Sequence, residues 1–175
     1  MIRSRPGLRA AFTGMGCVCV LLTCCATSRT VDGVYVDEAK GFRVQLPRHG
    51  WHVVESSGAD LTLRDTGSQA RMAVSASCPA RETGPLPALA RHLLFGLRDV
   101  KRMRQEPILI DGVEGLDTEV IGTWEGERVQ VWSVVIRRGG CLYDLLFIAP
   151  PATFGAQRAD FDALLNSWEF LSETP

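Results

Sequence analysis

Apolar and polar residues alternate along the stretch that follows Gly41, as in β-strands with one buried face. Turn residues such as Ser-Ser-Gly and Asp-Thr-Gly separate the alternating runs. Four strands are therefore predicted before residue 80. Their inward-facing residues are Phe42, Val44 and Leu46, then Trp51 and Val53, then Leu61 and Leu63, and finally Met72, Val74, Ala76 and Cys78.

The spacing of apolar residues then changes to three and four, which predicts an amphipathic helix over residues 86–97, entered through Pro85 and Pro87. Strands are predicted again around residues 108–110, 116–124, 129–136 and 141–149. The last two are apolar on both faces, so we expect them at the centre of the sheet. A final helix is predicted from about residue 154 to residue 170.

Two blocks of four strands, each followed by one helix, predict an α+β fold in which helices pack on an antiparallel β-sheet. The chain is divided into a lipoprotein-type signal peptide at residues 1–24, a tether at residues 25–40 and a single α+β domain at residues 41–171. The tether is predicted because Thr, Ser, Asp and Gly dominate it.

The amino terminus has the pattern of a secretory signal, with three arginines before residue 10 and no charged residue from residue 10 to residue 26. An uncleaved membrane anchor is the alternative. Leu21-Leu22-Thr23-Cys24-Cys25 resembles the lipobox of bacterial lipoproteins. We favour Cys25 over Cys24 as the acylated cysteine, because cleavage before Cys25 leaves an even pair of other thiols. These cysteines could also be mere apolar filler of the signal.

Removal of the signal leaves 16 basic and 20 acidic residues, a net charge of −4. A mildly acidic surface lacks the basic excess of nucleic-acid-binding proteins, so we expect no nucleic-acid partner. The expected location is the bacterial cell envelope, lipid-anchored in the outer membrane and facing the periplasm, and the partners are the membrane and an envelope protein.

Several segments resemble the Mog1/PsbP-like fold. They are the opening Gly41-Phe42-Arg43-Val44-Gln45-Leu46-Pro47 followed by Trp51, the turn at residues 111–115, the strand at residues 140–145 and the closing helix at residues 161–170. The resemblance spans about residues 35–171. It implies an α/β/α sandwich and an accessory, assembly or binding role, often at a membrane. It carries over no active residue, because fold does not determine function.

Cys78 and Cys141 are predicted to form a disulfide, since both remain after signal removal and the expected compartment is oxidising. Two buried free thiols are the alternative, and redox catalysis is disfavoured because no Cys-x-x-Cys motif follows the signal. Asp144 lies within an apolar strand and forms a possible buried polar site. A carboxylate there needs a partner, either for structure or for binding.

Other polar groups have simpler interpretations. Asp117 and Glu119 have the spacing of a general acid/base pair but are expected on a solvated strand face. His49 and His52 lack further ligands for a metal site. The basic run Arg98, Lys101, Arg102 and Arg104 is expected to be solvated or to meet anionic headgroups. Trp51, Trp124, Trp132 and Trp168 are predicted in the core.

No nucleophile motif or metalloprotease motif occurs, so we expect no enzyme activity, cofactor or metal. The leading hypothesis is a lipid-anchored binding or assembly module. The second is a carrier of a small apolar ligand in the concavity of the sheet. An envelope hydrolase is the third and weakest hypothesis.

Overall fold

The computed structural model describes residues 28–172, which contain eleven strands and two helices. The first block comprises β1 (Ser28–Val31), β2 (Val34–Asp37), β3 (Phe42–Gln45), β4 (Trp51–Val53), β5 (Leu61–Asp65), β6 (Arg71–Ser77) and α1 (Leu86–Leu93). The second comprises β7 (Arg98–Ile110), β8 (Val113–Trp124), β9 (Glu127–Arg138), β10 (Cys141–Ala149), α2 (Pro151–Asn166) and β11 (Glu169–Phe170).

The strands of this region form two antiparallel sheets. The large sheet has seven strands in the order β4-β5-β6-β10-β9-β8-β7, and the small sheet has four in the order β1-β2-β3-β11. As predicted, β9 and β10 occupy the centre of the large sheet. The predicted α+β class is confirmed.

Successive side chains of β10 point to opposite faces of the large sheet, and each face packs against a different layer. Tyr143, Leu145 and Phe147 point into the main core, where α2 and the small sheet pack. Leu142, on the opposite face, contacts the smaller cluster formed with α1. The large sheet therefore lies between α1 on one side and α2 with the small sheet on the other, as the α/β/α resemblance implied.

Aromatic side chains close the α2 side of the large sheet. The Phe161 ring lies 4.9 Å from the Trp132 ring and 5.6 Å from the Phe147 ring. The Phe42 ring stacks on Trp168 at 4.5 Å, which joins the small sheet to the segment after α2. Large aromatic surfaces buried in such contacts are a principal source of stability in a domain of this size.

The tether predicted at residues 25–40 is wrong from Ser28 onward, because β1 and β2 lie there. Tyr35 and Asp37 are buried, at 6% and 3% exposure. The Tyr35 hydroxyl donates to the carbonyl of Asp60 at 3.0 Å, and Asp37 accepts the backbone N–H of Lys40 at 3.0 Å. These contacts to distant or following residues, rather than local hydrophobicity, order the segment.

Both helices are shorter than predicted. α1 ends at Leu93 instead of residue 97, because the chain turns at Leu94–Gly96 before β7 begins. α2 begins at Pro151 and ends at Asn166, after which Glu169–Phe170 pairs with β3 as β11. The apolar residues that suggested a longer helix serve the small sheet instead. Neither helix of residues 28–172 has the length and apolar character needed to cross a membrane.

Candidate functional site

The α1 side of the large sheet is only partly covered. Leu89 and Ala90 of α1 pack over one end of β8, β9 and β10, and Leu94 and Leu97 of the following turn pack near Val131. The strands β5 and β6 carry small residues on this face and receive no helix. Half of this sheet face is therefore open.

A groove with a volume of about 380 Å³ lies on the open half. Its surface is formed by β5, β6 and β10, and it is lined by the turn after α1 and by the loop between β4 and β5. The lining includes Ser56, Gly58, Ala59, Thr62, Arg71, Ala73, Ser75, Leu93, Leu94, Phe95, Leu97, Trp124, Val131, Asp144, Leu146 and Ile148. Small side chains on β5 and β6 leave the depression that larger ones would fill.

Asp144 is the one acidic residue of the groove and stands opposite Ser75 in the register of β10 and β6. Burial, together with the negative charge of Glu82, raises the pKa of Asp144 to about 6. Among the described residues, its carboxyl has neither an ion-pair partner nor a hydrogen-bond partner. The helix-start or arginine contact expected for a structural carboxylate is therefore not observed, and Asp144 faces a space that a ligand could enter.

Two aromatic residues lie at the edge of the groove. Phe95 is 95% exposed, and Trp124 at the end of β8 is 39% exposed. The prediction of Trp124 as a core residue is wrong, because β8 ends where neither helix covers it. Trp51, Trp132 and Trp168 are buried as predicted.

Phe95 had no place among the predicted site residues. It falls between the apolar positions that indicated the helix, and helical periodicity assigns no role to a residue off the buried face. The available signal in the sequence was the glycine that follows Phe95, because glycine favours turns over helices. In the structure Gly96 adopts a φ of +95° in such a turn.

The predicted disulfide is confirmed, because Cys78 and Cys141 are bonded. It joins the end of β6 to the start of β10, two strands that are also neighbours in the large sheet. The bridge closes a loop of 62 residues that includes α1, so it restricts the unfolded chain substantially. It lies among structural elements and outside the groove.

Asp117 and Glu119 were expected on a solvated face, and this is wrong. They are 2% and 8% exposed and lie on the α2 side of β8. Arg104 of β7 pairs with Asp117 at 2.9 Å, and Arg158 of α2 pairs with Glu119 at 2.9 Å. The two arginines cover the carboxylates, which sequence alternation cannot reveal.

Trp132 lies beneath the same arginines. The guanidinium of Arg158 is 4.3 Å from the centre of its ring, and that of Arg104 is 5.6 Å away. Burial raises the pKa of Asp117, while the charge of Arg104 opposes the shift. Each carboxylate is engaged by cations, so this cluster joins α2 to the sheet and offers no unoccupied acid for chemistry.

The two histidines considered for a metal site are both exposed. His49 lies in the turn before β4, and His52 stands opposite Arg64 in β5. Within residues 28–172, no three His, Cys, Asp or Glu side chains are grouped closely enough to hold a metal ion.

The basic run divides between two environments. Arg98, Lys101 and Arg102 are exposed at the start of β7, whereas Arg104 turns toward Asp117 and Glu119. Cys24 and Cys25, the candidates for acylation, lie outside the described residues. Their modification stays a prediction.

Comparison with known proteins rests on structure. No protein-family model and no curated protein sequence matches the chain. The solution structure of cyanobacterial PsbP (CyanoP) from Synechocystis sp. PCC 6803 superimposes with a TM-score of 0.59 at 17% identity, over 92% of this chain and 98% of that chain. The chain has the PsbP-like fold.

A second structural neighbour is a mycobacterial protein. LpqN, involved in cell envelope biogenesis of Mycobacterium tuberculosis, superimposes with a TM-score of 0.55 at 14% identity, over 75% of this chain and 86% of that chain. At these identities the likeness establishes the fold alone. It agrees with the Mog1/PsbP-like resemblance found in the sequence.

Proposed function

We propose that this protein is a non-enzymatic accessory or assembly module of the bacterial envelope. In this proposal it is anchored by an acylated Cys25 (or Cys24) to the outer membrane, faces the periplasm and binds a partner protein in the groove of its open sheet face. The observation that carries the proposal is the open half of the large sheet, with two exposed aromatic residues and an unpaired carboxyl beside it.

The expected occupant is an apolar segment of a protein that carries a lysine or arginine. Phe95 and Trp124 supply the aromatic contact area on which protein interfaces depend. Asp144 supplies a partly desolvated negative charge with no described partner. A lysine or arginine of the partner would form an ion pair with this carboxylate. The groove therefore favours a binding segment that is both apolar and positively charged.

The location is supported by separate observations. The lipobox-like sequence and the basic amino terminus favour export. The Cys78–Cys141 disulfide is of the kind that persists in oxidising compartments. LpqN, which has a similar fold, is involved in cell envelope biogenesis.

A carrier of a small apolar ligand is the second candidate. The groove volume of about 380 Å³ lies within the range of small-molecule sites, and leucines of the turn after α1 line it. An envelope hydrolase has less support, because Ser75 and Asp144 are paired neighbours on adjacent strands in the groove, whose lining contains no histidine.

Site-specific photocrosslinking in living cells distinguishes these candidates. A benzoylphenylalanine at Ala73 reports on the groove, and the same residue at Ala156 on the outer surface of α2 is the matched control. We expect a protein adduct of constant identity from position 73 and none from position 156. The adduct should weaken in the Asp144→Asn variant, because the charge that pairs with the partner is lost.

The mass of the adduct decides between the proposals. An adduct of only a few hundred daltons, of the size of ligands that fill such a groove, would support the carrier instead. No adduct at position 73, or equal adducts at both positions, would contradict a role for the groove.

A further inference from the structure

A second exposed surface lies where α1 passes into β7. We call residues 91–103 the α1–β7 tip. It contains four basic residues, Arg91, Arg98, Lys101 and Arg102, and one acidic residue, Asp99, so its net charge is +3. The chain after the predicted signal carries −4 overall. The tip is thus a basic patch on an otherwise acidic domain, and charge segregation of this kind directs an encounter with an anionic surface.

The basic side chains of the tip are available for such an encounter. All four are exposed, and none forms an ion pair with another described residue. Arg91 of α1 and Arg102 of β7 line one depression of about 330 Å³, together with Leu94 and Val100. The two elements therefore bring cations that are eleven positions apart to the same part of the surface.

Apolar side chains accompany the cations. Phe95 is 95% exposed at the end of the turn, and Val100 and Met103 are 47% and 52% exposed. Leu97 holds the base of the turn against β8, where a Cβ at Gly122 would lie 3.0 Å from the Leu97 side chain. The turn is anchored beside Phe95 while the ring itself remains outside the fold.

We propose that the α1–β7 tip contacts an anionic membrane surface, with Phe95 entering the headgroup region and the cations meeting lipid phosphates. A phenylalanine ring that is exposed on all sides at a turn can insert into the lipid headgroup region, because lipids accommodate an apolar side chain without a preformed pocket. Each basic residue near an anionic surface adds to the attraction. The contact shares Phe95 with the edge of the groove but involves neither Asp144 nor the lipid anchor, so its failure would leave the proposed function untouched.

Tryptophan fluorescence in the full chain tests the contact. Phe95→Trp is introduced together with Trp124→Phe, and the chain is reconstituted into vesicles that carry brominated acyl chains, which quench nearby indoles. Residues 1–27 contain no tryptophan, so membrane association of the amino terminus adds no signal. The remaining Trp51, Trp132 and Trp168 are at most 8% exposed and give a constant background.

We expect strong quenching at position 95 in vesicles of equal parts phosphatidylglycerol and phosphatidylcholine, and little in phosphatidylcholine alone. Leu109→Trp, at a residue 71% exposed near the far end of β7, is the reporter control and should stay unquenched. Adding Arg98→Gln and Arg102→Gln should lower the ratio of membrane-bound to free tip about thirtyfold, or about fivefold per cation. The matched pair Arg48→Gln and Arg81→Gln, at exposed arginines outside the tip, should change it little.

Three results would overturn the inference. Quenching at position 95 that is equal in both kinds of vesicle would remove the role of the cations. An equal loss in the Arg48→Gln and Arg81→Gln pair would show that net charge acts without the tip. No quenching at position 95 in either vesicle would exclude the membrane and leave an acidic protein surface as the binding partner of the tip.

Discussion

The two faces of the large sheet are built from the same strands but are covered by the rest of the chain to different extents. On the α2 side, Phe147 of β10 is fully buried against the Phe154 and Phe161 rings. On the α1 side, Leu146 and Ile148 of the same strand are only half-buried and line the groove. One face is completed by the chain itself, whereas the other leaves apolar surface for another molecule.

Carboxylates on the two faces show the same contrast. Glu119 on the α2 side is bound by Arg158 at 2.9 Å and by the amide of Gln130 at 2.6 Å. Asp144 on the α1 side has no described partner, and its pKa is raised to about 6. Since burial of an unpaired charge is costly, the unpaired Asp144 marks the face where we place binding.

Truncation of aromatic residues should give the largest difference in unfolding free energy between the two faces. Phe161→Ala removes a fully buried ring and is expected to lower the free energy of unfolding by about 4 kcal/mol. Phe95→Ala removes an exposed ring and should change it by less than about 0.5 kcal/mol. Urea unfolding followed by circular dichroism measures both. Comparable losses would mean that the α1–β7 tip is part of the core.

Removal of a covering arginine should have an intermediate effect. Arg104→Met leaves Asp117 buried without its ion-pair partner, which is expected to cost about 2 kcal/mol at pH 7, less than a fully buried pair because Arg104 is partly exposed. Arg102→Met, two positions away in the same strand, should leave stability nearly unchanged, since Arg102 has no described partner. Thermal unfolding of the two variants side by side measures the difference, and equal melting temperatures would contradict the assigned pairing.

Neutralisation of Asp144 should have the smallest effect and the opposite sign. Its pKa is about 6 in the folded chain and near 3.8 when unfolded, so the folded state binds the proton more tightly. Unfolding free energy therefore falls as pH rises from about 4 to 6 and stays low above that range. Asp144→Asn should remove this loss and stabilise the protein at pH 7 by about 1 kcal/mol.

The pH profile also provides the control for Asp144. The two proteins should converge below pH 4, where Asp144 is protonated in both the folded and the unfolded state. Glu82→Gln should act in the same direction with a smaller size, because Glu82 contributes the lesser part of the pKa shift. A constant difference between Asp144→Asn and the unaltered protein at every pH would exclude titration as the cause.

The regular elements could be predicted because their signals are local. Alternation in β3 to β6 and in β8 to β10 places strands correctly, and Pro85 and Pro87 mark the start of α1. The same local reasoning fails for residues 28–37. Tyr35 and Asp37 become buried only through hydrogen bonds to Asp60 and Lys40, and composition alone resembles a linker.

The candidate site was predictable only in part. Asp144 was identified because a carboxylate within an apolar strand is a local anomaly. The groove was not, because Thr62, Ala73 and Ser75 form the same pattern as any solvated strand face. Whether such residues lie under a helix depends on where α1 packs, which is a property of the tertiary structure.

The central claim is that the open half of the α1 face is occupied in the cell. Hydroxyl-radical footprinting compares the oxidation of Trp124 at the edge of the groove in the purified protein and in intact envelopes, with exposed Leu109 as the internal control. We predict that Trp124 is oxidised readily in the purified protein and is protected in the envelope, while Leu109 reacts equally in both. Equal oxidation of Trp124 in the two samples would contradict the account.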